Sequence, residues 1–113
     1  MSDCVFCKII SGEISSEIIC EDDKSIAFRD NNPQAPVHFL VVPREHIESA
    51  ADIGPENSSI VADCFELIAK LAKRNELSEG FRVINNCGKN AGQTVPHIHF
   101  HVLAGGPMGD SII

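Results

Sequence analysis

Three of the five histidines in this 113-residue chain stand at alternate positions, His97, His99 and His101. Because side chains alternate between the two faces of a β-strand, a strand here would project all three imidazoles from one face and Ile98 and Phe100 from the other. The ordinary pKa of imidazole, about 6.5, is close to neutral pH. Such a row suits nucleophilic catalysis, proton transfer or metal binding. The alternative is an exposed strand that is merely polar.

A glycine- and asparagine-rich segment, residues 85–96, directly precedes these histidines. It offers backbone amides, side-chain amides and the hydroxyl of Thr94, which are dipoles that bind phosphate oxygens without net positive charge. Taken alone, such a composition is more often a simple turn. Placed next to a row of imidazoles, it predicts a phosphate cradle beside a nucleophile.

Cys4 and Cys7 form a Cys-x-x-Cys pair, which is half of a tetrahedral zinc site and requires two more ligands. The alternatives are a pair of reduced thiols or a thioredoxin-like redox motif, and the redox motif is disfavoured because no βαβ pattern surrounds the pair. Five cysteines, an odd number without a secretion signal, predict reduced thiols and a cytoplasmic location.

The charge and hydropathy of the sequence argue against two kinds of partner, nucleic-acid polymers and membranes. The formal net charge is −7 and no block of lysines or arginines occurs, which argues against binding a nucleic-acid polymer but not a single nucleotide. No apolar run is long enough to cross a bilayer, so we expect no membrane partner. A length of 113 residues with 43% hydrophobic and 22% charged residues predicts one globular domain, over 4–113.

Hydrophobic patterning predicts an α+β domain with an antiparallel sheet. Residues 6–10 predict one or two helical turns. The predicted strands are 18–21, 25–29, 37–42, 81–84 and 97–103, with the first two forming a hairpin around the polar residues 22–24.

Apolar residues at three- and four-residue spacing from Ile60 to Ala72 predict one long amphipathic helix. We expect Pro55 in its first turn and Gly80 at its exit. Residues 104–109 predict a flexible tail.

The motifs together resemble a known family. Gly-Gln-Thr at 92–94, followed by His-Ile-His-Phe-His-Val-Leu at 97–103, resembles the signature of the histidine-triad (HIT) superfamily. Residues 28–43 and 6–10 resemble its Hint-like branch in particular. The resemblance implies the HIT fold, a five-stranded antiparallel sheet with one long and one short helix. It further implies a homodimer in which two sheets join into ten strands.

The resemblance implies a purine nucleoside phosphoramidase or related nucleotidyl hydrolase. In that family the middle histidine, His99 here, attacks the α-phosphorus, and a covalent nucleotidyl-histidine forms before water releases AMP or GMP. A neutral imidazole is a competent nucleophile near neutral pH, which agrees with this role. The other catalytic candidates are His97, His101, His38 and Thr94.

The family's nucleotide-binding positions map onto this chain one by one. Asp30 matches the carboxylate that holds the ribose hydroxyls, and Asn31 matches its neighbour at the base pocket. The residues that match the phosphate-contacting positions are Asn86, Gly92, Gln93, Thr94, His99 and His101. From the residues alone, Asp30 could be only a turn residue, and His38 a satisfied core histidine.

Some histidine-triad proteins complete the Cys-x-x-Cys pair with two histidines. The matching residues here are His46 and His97, so the resemblance implies a structural Zn²⁺ held by Cys4, Cys7, His46 and His97. His97 could not then carry protons, and acid–base chemistry would fall to His101 and Thr94. Metal storage by the histidine row itself is disfavoured, because the sequence places no carboxylate nearby.

Several departures from the family pattern leave the substrate open. Thr94 replaces the commoner serine, Asn31 stands where an apolar residue is usual, and Pro96 stands where relatives commonly carry an aromatic residue. The tail lacks the tryptophan of some Hint proteins. Dinucleoside polyphosphates and acyl-adenylates remain alternative substrates, and a zinc-bearing nucleotide-binding or interaction module is the alternative class of protein.

Overall fold

The structure, a computed structural model, describes residues 3–112 apart from the side chain of Asn75; Ile113, the last residue of the predicted domain, lies outside the described residues. The helices are α1 (Val5–Ser11) and α2 (Ser58–Leu71), and the strands are β1 (Ile18–Glu21), β2 (Ser25–Arg29), β3 (Val37–Pro43), β4 (Arg82–Ile84) and β5 (Phe100–Ala104). Single 3₁₀ turns occur at Ala50–Asp52, Asn75–Leu77 and Lys89–Ala91.

The five strands form one sheet in the order β1-β2-β3-β5-β4, and every neighbouring pair is antiparallel. The predicted fold class, an antiparallel five-stranded sheet with one long and one short helix, is confirmed. The β1–β2 hairpin is confirmed at its turn, where Asp22 Oδ1 accepts backbone N–H bonds from Lys24 at 2.9 Å and Ser25 at 2.8 Å.

Each face of the sheet is covered by one helix. Helix α2 packs Leu67, Ile68 and Leu71 against the face that carries Val41 and Val102. Helix α1 covers part of the other face through Phe6, which joins a second cluster with Ile26, Phe28, Leu40 and Val42. None of the helices among residues 3–112 is long and apolar enough to cross a membrane.

The boundaries of the long helix differ from the prediction. Because α2 starts at Ser58, Pro55 precedes it and is not in its first turn. It ends at Leu71, so Gly80 does not mark its exit; Gly80 adopts a φ of +127°, a conformation that favours glycine, in the turn before β4.

The last strand also starts later than predicted, at Phe100 instead of His97, and it includes Ala104. The backbone N–H of Ile98 donates to the carbonyl of Ile47 at 2.7 Å and not to β3. The carbonyl of Pro43 lies 2.9 Å from His97 Nε2, and the proline nitrogen has no hydrogen to donate. The alternation of faces nevertheless holds, because Ile98 lies in the α2-side core while His97 and His99 contact Phe6 of α1. Strand β4 begins at Arg82, one residue after the predicted Phe81.

The guanidinium of Arg82 donates to the carbonyl oxygens of Met108 at 3.5 Å, Gly109 at 3.4 Å and Ser111 at 3.2 Å. These contacts tie the predicted tail to the start of β4.

Candidate active site

A cavity of about 400 Å³ opens on the α1 side of the sheet, between α1, the 85–96 loop and the β2–β3 connection. Its walls combine an apolar part with a polar part. Apolar lining comes from Val5, Phe6, Ile9, Phe28, Leu40 and Val95, and polar lining comes from Ser16, Arg29, Asp30, Asn31, Asn86, Gly92, Thr94, His99 and His101. The structure therefore brings most of the predicted nucleotide-binding residues together, although they are spread from position 30 to position 101.

His99 is held in one tautomer by the backbone. Its Nδ1 lies 2.8 Å from the carbonyl oxygen of His97. A carbonyl only accepts, so Nδ1 carries the proton and Nε2 keeps its lone pair. The ring is buried and makes an edge contact with Phe6 at a centroid distance of 5.0 Å. An oriented imidazole with a free Nε2 in a cavity wall is a ready nucleophile.

His38 and His101 form a hydrogen-bonded pair that starts at the backbone of Gln34. The N–H of Gln34 donates to His38 Nδ1 at 2.9 Å, so the proton of His38 is on Nε2. His38 Nε2 lies 3.0 Å from His101 Nδ1 and donates to it, which leaves the proton of His101 on its own Nε2. His101 therefore offers an N–H donor where His99 offers a lone pair.

Burial lowers the pKa of His101 below its usual value, and the neighbouring His99 and His38 lower it further, while Asp30 partly offsets them. His101 is thus neutral near pH 7 and acts as a hydrogen-bond donor.

Asp30 lies against this pair of histidines. Its Oδ2 is 3.4 Å from His38 Nε2 and 3.8 Å from His101 Nδ1, and its Oδ1 accepts the backbone N–H of Asn32 at 2.7 Å. The expectation that the histidine row has no nearby carboxylate is therefore wrong. Metal binding at Asp30, His38 and His101 is still disfavoured, for a different reason: the proton on His38 Nε2 occupies the position that would face an ion.

The 85–96 loop is held by its own amide side chains. Gln93 accepts the N–H of Gly88 at 2.9 Å through Oε1 and donates through Nε2 to the carbonyl oxygens of Glu48 at 2.7 Å and Val95 at 3.0 Å. Of the predicted loop contacts, Asn86, Gly92 and Thr94 line the cavity, whereas Gln93 spans the base of the loop. Gly92 has a φ of +81°, which explains the glycine there.

Two positioning groups were missed in the sequence. Asn85 donates from Nδ2 to the carbonyl of His99 at 2.9 Å, and the backbone N–H of Gln34 orients His38. Asn85 could have been noticed as a polar residue beside the predicted phosphate contacts, but a backbone amide has no sequence signal.

Cys4, Cys7, His46 and His97 come together in a second cluster, at the N-terminal end of α1. His97 Nδ1 lies 3.3 Å from Cys4 Sγ, 3.6 Å from Cys7 Sγ and 3.2 Å from His46 Nδ1, and Cys7 Sγ lies 3.4 Å from His46 Nδ1. Tetrahedral zinc with ordinary bond lengths places its N and S ligands about 3.3 to 3.8 Å apart. The spacing and the donor set fit that ion.

The tautomer of His97 agrees with a ligand role. Its Nε2 lies 2.9 Å from the carbonyl oxygen of Pro43 and so carries the proton, which directs the lone pair of Nδ1 into the cysteine cluster. His97 is completely buried, and this burial lowers the pKa of its imidazole. His97 is absent from the cavity lining, so the three histidines of the row divide between two sites.

Comparison with known proteins agrees with this geometry. Residues 11–108 match the HIT domain family. The chain is 41% identical over 106 residues to a purine nucleoside phosphoramidase of Escherichia coli (strain K12), covering 93% of this chain and 89% of the relative. It is 37% identical over 103 residues to Protein HitA of Neisseria gonorrhoeae, covering 91% and 96% of the two chains.

Solved structures give the same result. A histidine triad protein from Clostridium difficile superposes with a TM-score of 0.93 at 47% identity, covering 98% of this chain and 97% of that one. A HIT family hydrolase from Clostridium thermocellum gives a TM-score of 0.95 at 45% identity, covering 100% and 99%. The sheet and the paired histidines thus define a histidine-triad protein. This chain belongs to the HIT family and is an enzyme of that family.

Proposed function

We propose that this enzyme hydrolyses the P–N bond of purine nucleoside 5′-phosphoramidates, of the adenosine type, through a covalent nucleotidyl-histidine on His99. The observation that carries the proposal is the 2.8 Å bond from His99 Nδ1 to the His97 carbonyl, which leaves Nε2 free at the cavity wall. The 41% identity to a protein named purine nucleoside phosphoramidase supports the substrate class.

The reaction has two displacement steps. The lone pair of His99 Nε2 forms a bond to the α-phosphorus, the P–N bond breaks, and the amine leaves with its electron pair and takes up a proton from the solvent. Water then attacks the same phosphorus and loses a proton to the solvent, the bond to His99 breaks with its electron pair returning to Nε2, and AMP or GMP is released. The His97 carbonyl accepts from Nδ1–H throughout and so stabilises the imidazolium-like ring of the intermediate.

The cavity accommodates each part of a nucleotide. Asp30 accepts from the ribose hydroxyls, with Asn31 beside it at the base pocket, and the apolar wall that includes Phe28 and Leu40 packs against the purine. The phosphate lies at the loop, near Asn86, Gly92 and Thr94, while the Gln93 side chain holds the loop in place. His101 Nε2–H donates to a phosphoryl oxygen, and the Thr94 hydroxyl faces the leaving group.

We also propose that Zn²⁺ is bound by Cys4, Cys7, His46 and His97. Four N and S ligands with no open position are typical of a structural zinc ion, which supplies stability and not reactivity. His97 then carries no proton in the reaction, and its contribution to catalysis is the position of its carbonyl oxygen.

A homodimer is the assembly we propose for the domain over 4–113. The sheet ends on one side at β4, a three-residue edge strand, and α2 presents Phe65 with 45% of its surface exposed. Joining two β4 edges would give a continuous ten-stranded sheet, satisfy the edge hydrogen bonds and cover apolar surface.

The proposal is tested by measuring hydrolysis of adenosine 5′-phosphoramidate by the purified protein, whose zinc content is determined on the same sample. The His99→Ala variant is assayed in the same way. We expect turnover that the variant abolishes, and mass spectrometry of acid-free quenched samples should find one nucleotidyl group on His99. Tight AMP binding without turnover would instead identify a nucleotide-binding module. Diadenosine polyphosphate and acyl-adenylate assays, run in parallel, would reassign the substrate if either is cleaved faster.

A further inference from the structure

His97 connects the cysteine cluster to the nucleophile. Its Nδ1 lies 3.3 Å from Cys4 Sγ, while its own carbonyl oxygen accepts the Nδ1–H of His99 at 2.8 Å. The side chain of His97 makes the first contact and its backbone carbonyl makes the second, so both groups are attached to the same α-carbon. A displacement of the His97 side chain therefore changes the position of the acceptor that orients His99.

Helix α1 provides a second connection. Phe6 stands between Cys4 and Cys7 in the sequence, and its ring contacts both His99, at a centroid distance of 5.0 Å, and His97, at 5.9 Å. Val5, Phe6 and Ile9 also form one wall of the nucleotide cavity. A seven-residue helix has little stability of its own, so its position depends on its attachments, among which are the two cysteines.

The cysteine pair is accessible and close enough to be cross-linked. Cys4 and Cys7 are partly exposed and line an open groove of about 940 Å³, together with Lys8, Glu13 and His46. The Sγ atoms lie within 4.8 Å of each other. Cys4 is the N-cap residue of α1 and Cys7 lies in its first turn, where the backbone N–H of Cys7 donates to Cys4 Sγ at 3.4 Å. A disulfide requires Cα atoms about 4.4 to 6.8 Å apart, which residues of one capped turn satisfy.

We propose that Cys4 and Cys7 are a peroxide-sensitive modification site, whose oxidation to a disulfide releases the metal ion and displaces His99 from its catalytic orientation. One thiolate attacks a peroxide oxygen, forming a sulfenic acid as the O–O bond breaks and hydroxide leaves. The second thiolate attacks that sulfur, the S–S bond forms and a second hydroxide leaves. In total, two thiolates, one H₂O₂ and two protons give one disulfide and two waters.

The consequence follows from the ligand count. A disulfide sulfur is a poor ligand for zinc, so only His46 and His97 remain to hold the ion, and it dissociates. Reduction by a dithiol, followed by zinc, restores the four ligands and the orientation of His99. This inference rests on the proposed zinc ion and on the proposed role of His99 as the nucleophile. It adds that the redox state of the zinc ligands regulates the orientation of His99.

The test uses the zinc-loaded protein carrying Cys20→Ser and Cys87→Ser, so that Cys64, which is buried, is the only other thiol. After treatment with hydrogen peroxide we expect one equivalent of zinc released to a metallochromic dye and a Cys4–Cys7 disulfide in the peptide map. The ¹⁵N resonances of His99 should shift from one fixed tautomer to an average of both, and kcat/KM should fall about 10- to 100-fold. Dithiothreitol and zinc should reverse all four changes.

Two results would overturn the inference. One is a disulfide and zinc release with unchanged His99 resonances and kcat/KM, and the other is peroxide treatment that leaves the Cys4–Cys7 pair reduced. The proposed function is judged separately, by turnover of the reduced zinc-loaded protein before any peroxide is added. If that turnover is absent, the zinc, disulfide and ¹⁵N measurements still decide whether the cysteine pair controls His99.

Discussion

His38 Nε2 lies 3.0 Å from His101 Nδ1, and this contact determines which nitrogen of His101 faces the cavity as a donor. The two residues are on adjacent antiparallel strands, where His38 pairs with Leu103 and His101 pairs with Leu40. His101 is two positions from Leu103, the residue that pairs with His38, and residues two apart in a strand share a face. Both imidazole rings therefore lie on the α1 side of the sheet. A backbone amide at Gln34 therefore acts through His38 on a residue 67 positions away in the sequence.

Removing the imidazole of His38 should lower kcat with little effect on KM. In His38→Asn, His101 Nδ1 loses its donor, so its proton is free to move to Nδ1 and the Nε2–H directed at the phosphate is lost. A hydrogen bond to a charged group contributes about 1.5 to 3 kcal/mol, which predicts roughly a 10- to 150-fold loss in kcat. Steady-state kinetics measure this directly.

The matched control is Gln34→Ala, which keeps the backbone N–H that contacts His38. It should retain nearly all of the wild-type kcat. If His38→Asn were as active as Gln34→Ala, or if it raised KM alone, the pair would have no positioning role.

The lowered pKa of His101 predicts that the protein loses stability as the pH falls. Unfolded histidine takes up a proton near pH 6.5, whereas burial lowers the pKa of folded His101, so that it binds a proton only at lower pH. The unfolded state therefore binds more protons, and the free energy of unfolding decreases as pH falls from about 6.5 towards the lower folded pKa. Urea unfolding of metal-free protein between pH 7.5 and 5.5 measures the slope.

His101→Gln should make that slope shallower, by up to about 1.4 kcal/mol per pH unit, because one titrating group is removed. His97, whose pKa is also lowered by burial, keeps part of the dependence in both proteins. Identical slopes in wild type and variant would show that His101 does not contribute.

The period-two pattern of the histidine row was sufficient to predict which face each side chain occupies, although the strand itself begins only at Phe100. Before Phe100 the ladder bonds are replaced by bonds to other partners: the N–H of Ile98 donates to the Ile47 carbonyl, and the Pro43 carbonyl lies 2.9 Å from His97 Nε2. A pattern within one segment carries no information about the partner strand, so the start of the strand could not be predicted. Gly80 was misassigned for a related reason, since a positive φ is required equally at a helix end and at a strand entry.

The residue types of the site could be predicted from motifs, but their protonation could not. The tautomers of His97, His99 and His38 are each set by a backbone group, from Pro43, His97 and Gln34 respectively. Every residue has a backbone carbonyl, and every residue except proline has a backbone N–H, so the sequence does not indicate which of these groups will lie within 3 Å of an imidazole. The approach of Asp30 to His101 likewise depends on the fold.

The stability of the β1–β2 turn should depend on the side chain of Asp22 and not on that of Asp23. Asp22 Oδ1 accepts two backbone N–H bonds, and these bonds lower the pKa of its carboxyl. Asp22→Ala should reduce the free energy of unfolding by about 1 kcal/mol, a typical value for a lost capping carboxylate. Asp23→Ala, at an exposed position in the same turn, is the control and should change stability by less than about 0.5 kcal/mol. Equal losses in the two variants, measured by urea unfolding, would contradict the role of the Asp22 bonds.

Four of the five cysteines should divide into three groups by reactivity towards iodoacetamide. Burial raises the pKa of the Cys64 thiol to about 11, so it should stay unmodified at pH 8, whereas exposed Cys87 should react first. Cys4 and Cys7 should be protected in the zinc-loaded protein and should react after a chelator removes the ion. Peptide mass spectrometry over time identifies each site. Modification of Cys4 and Cys7 at the same rate with and without chelator would argue against the metal site, and early modification of Cys64 would contradict its place in the core.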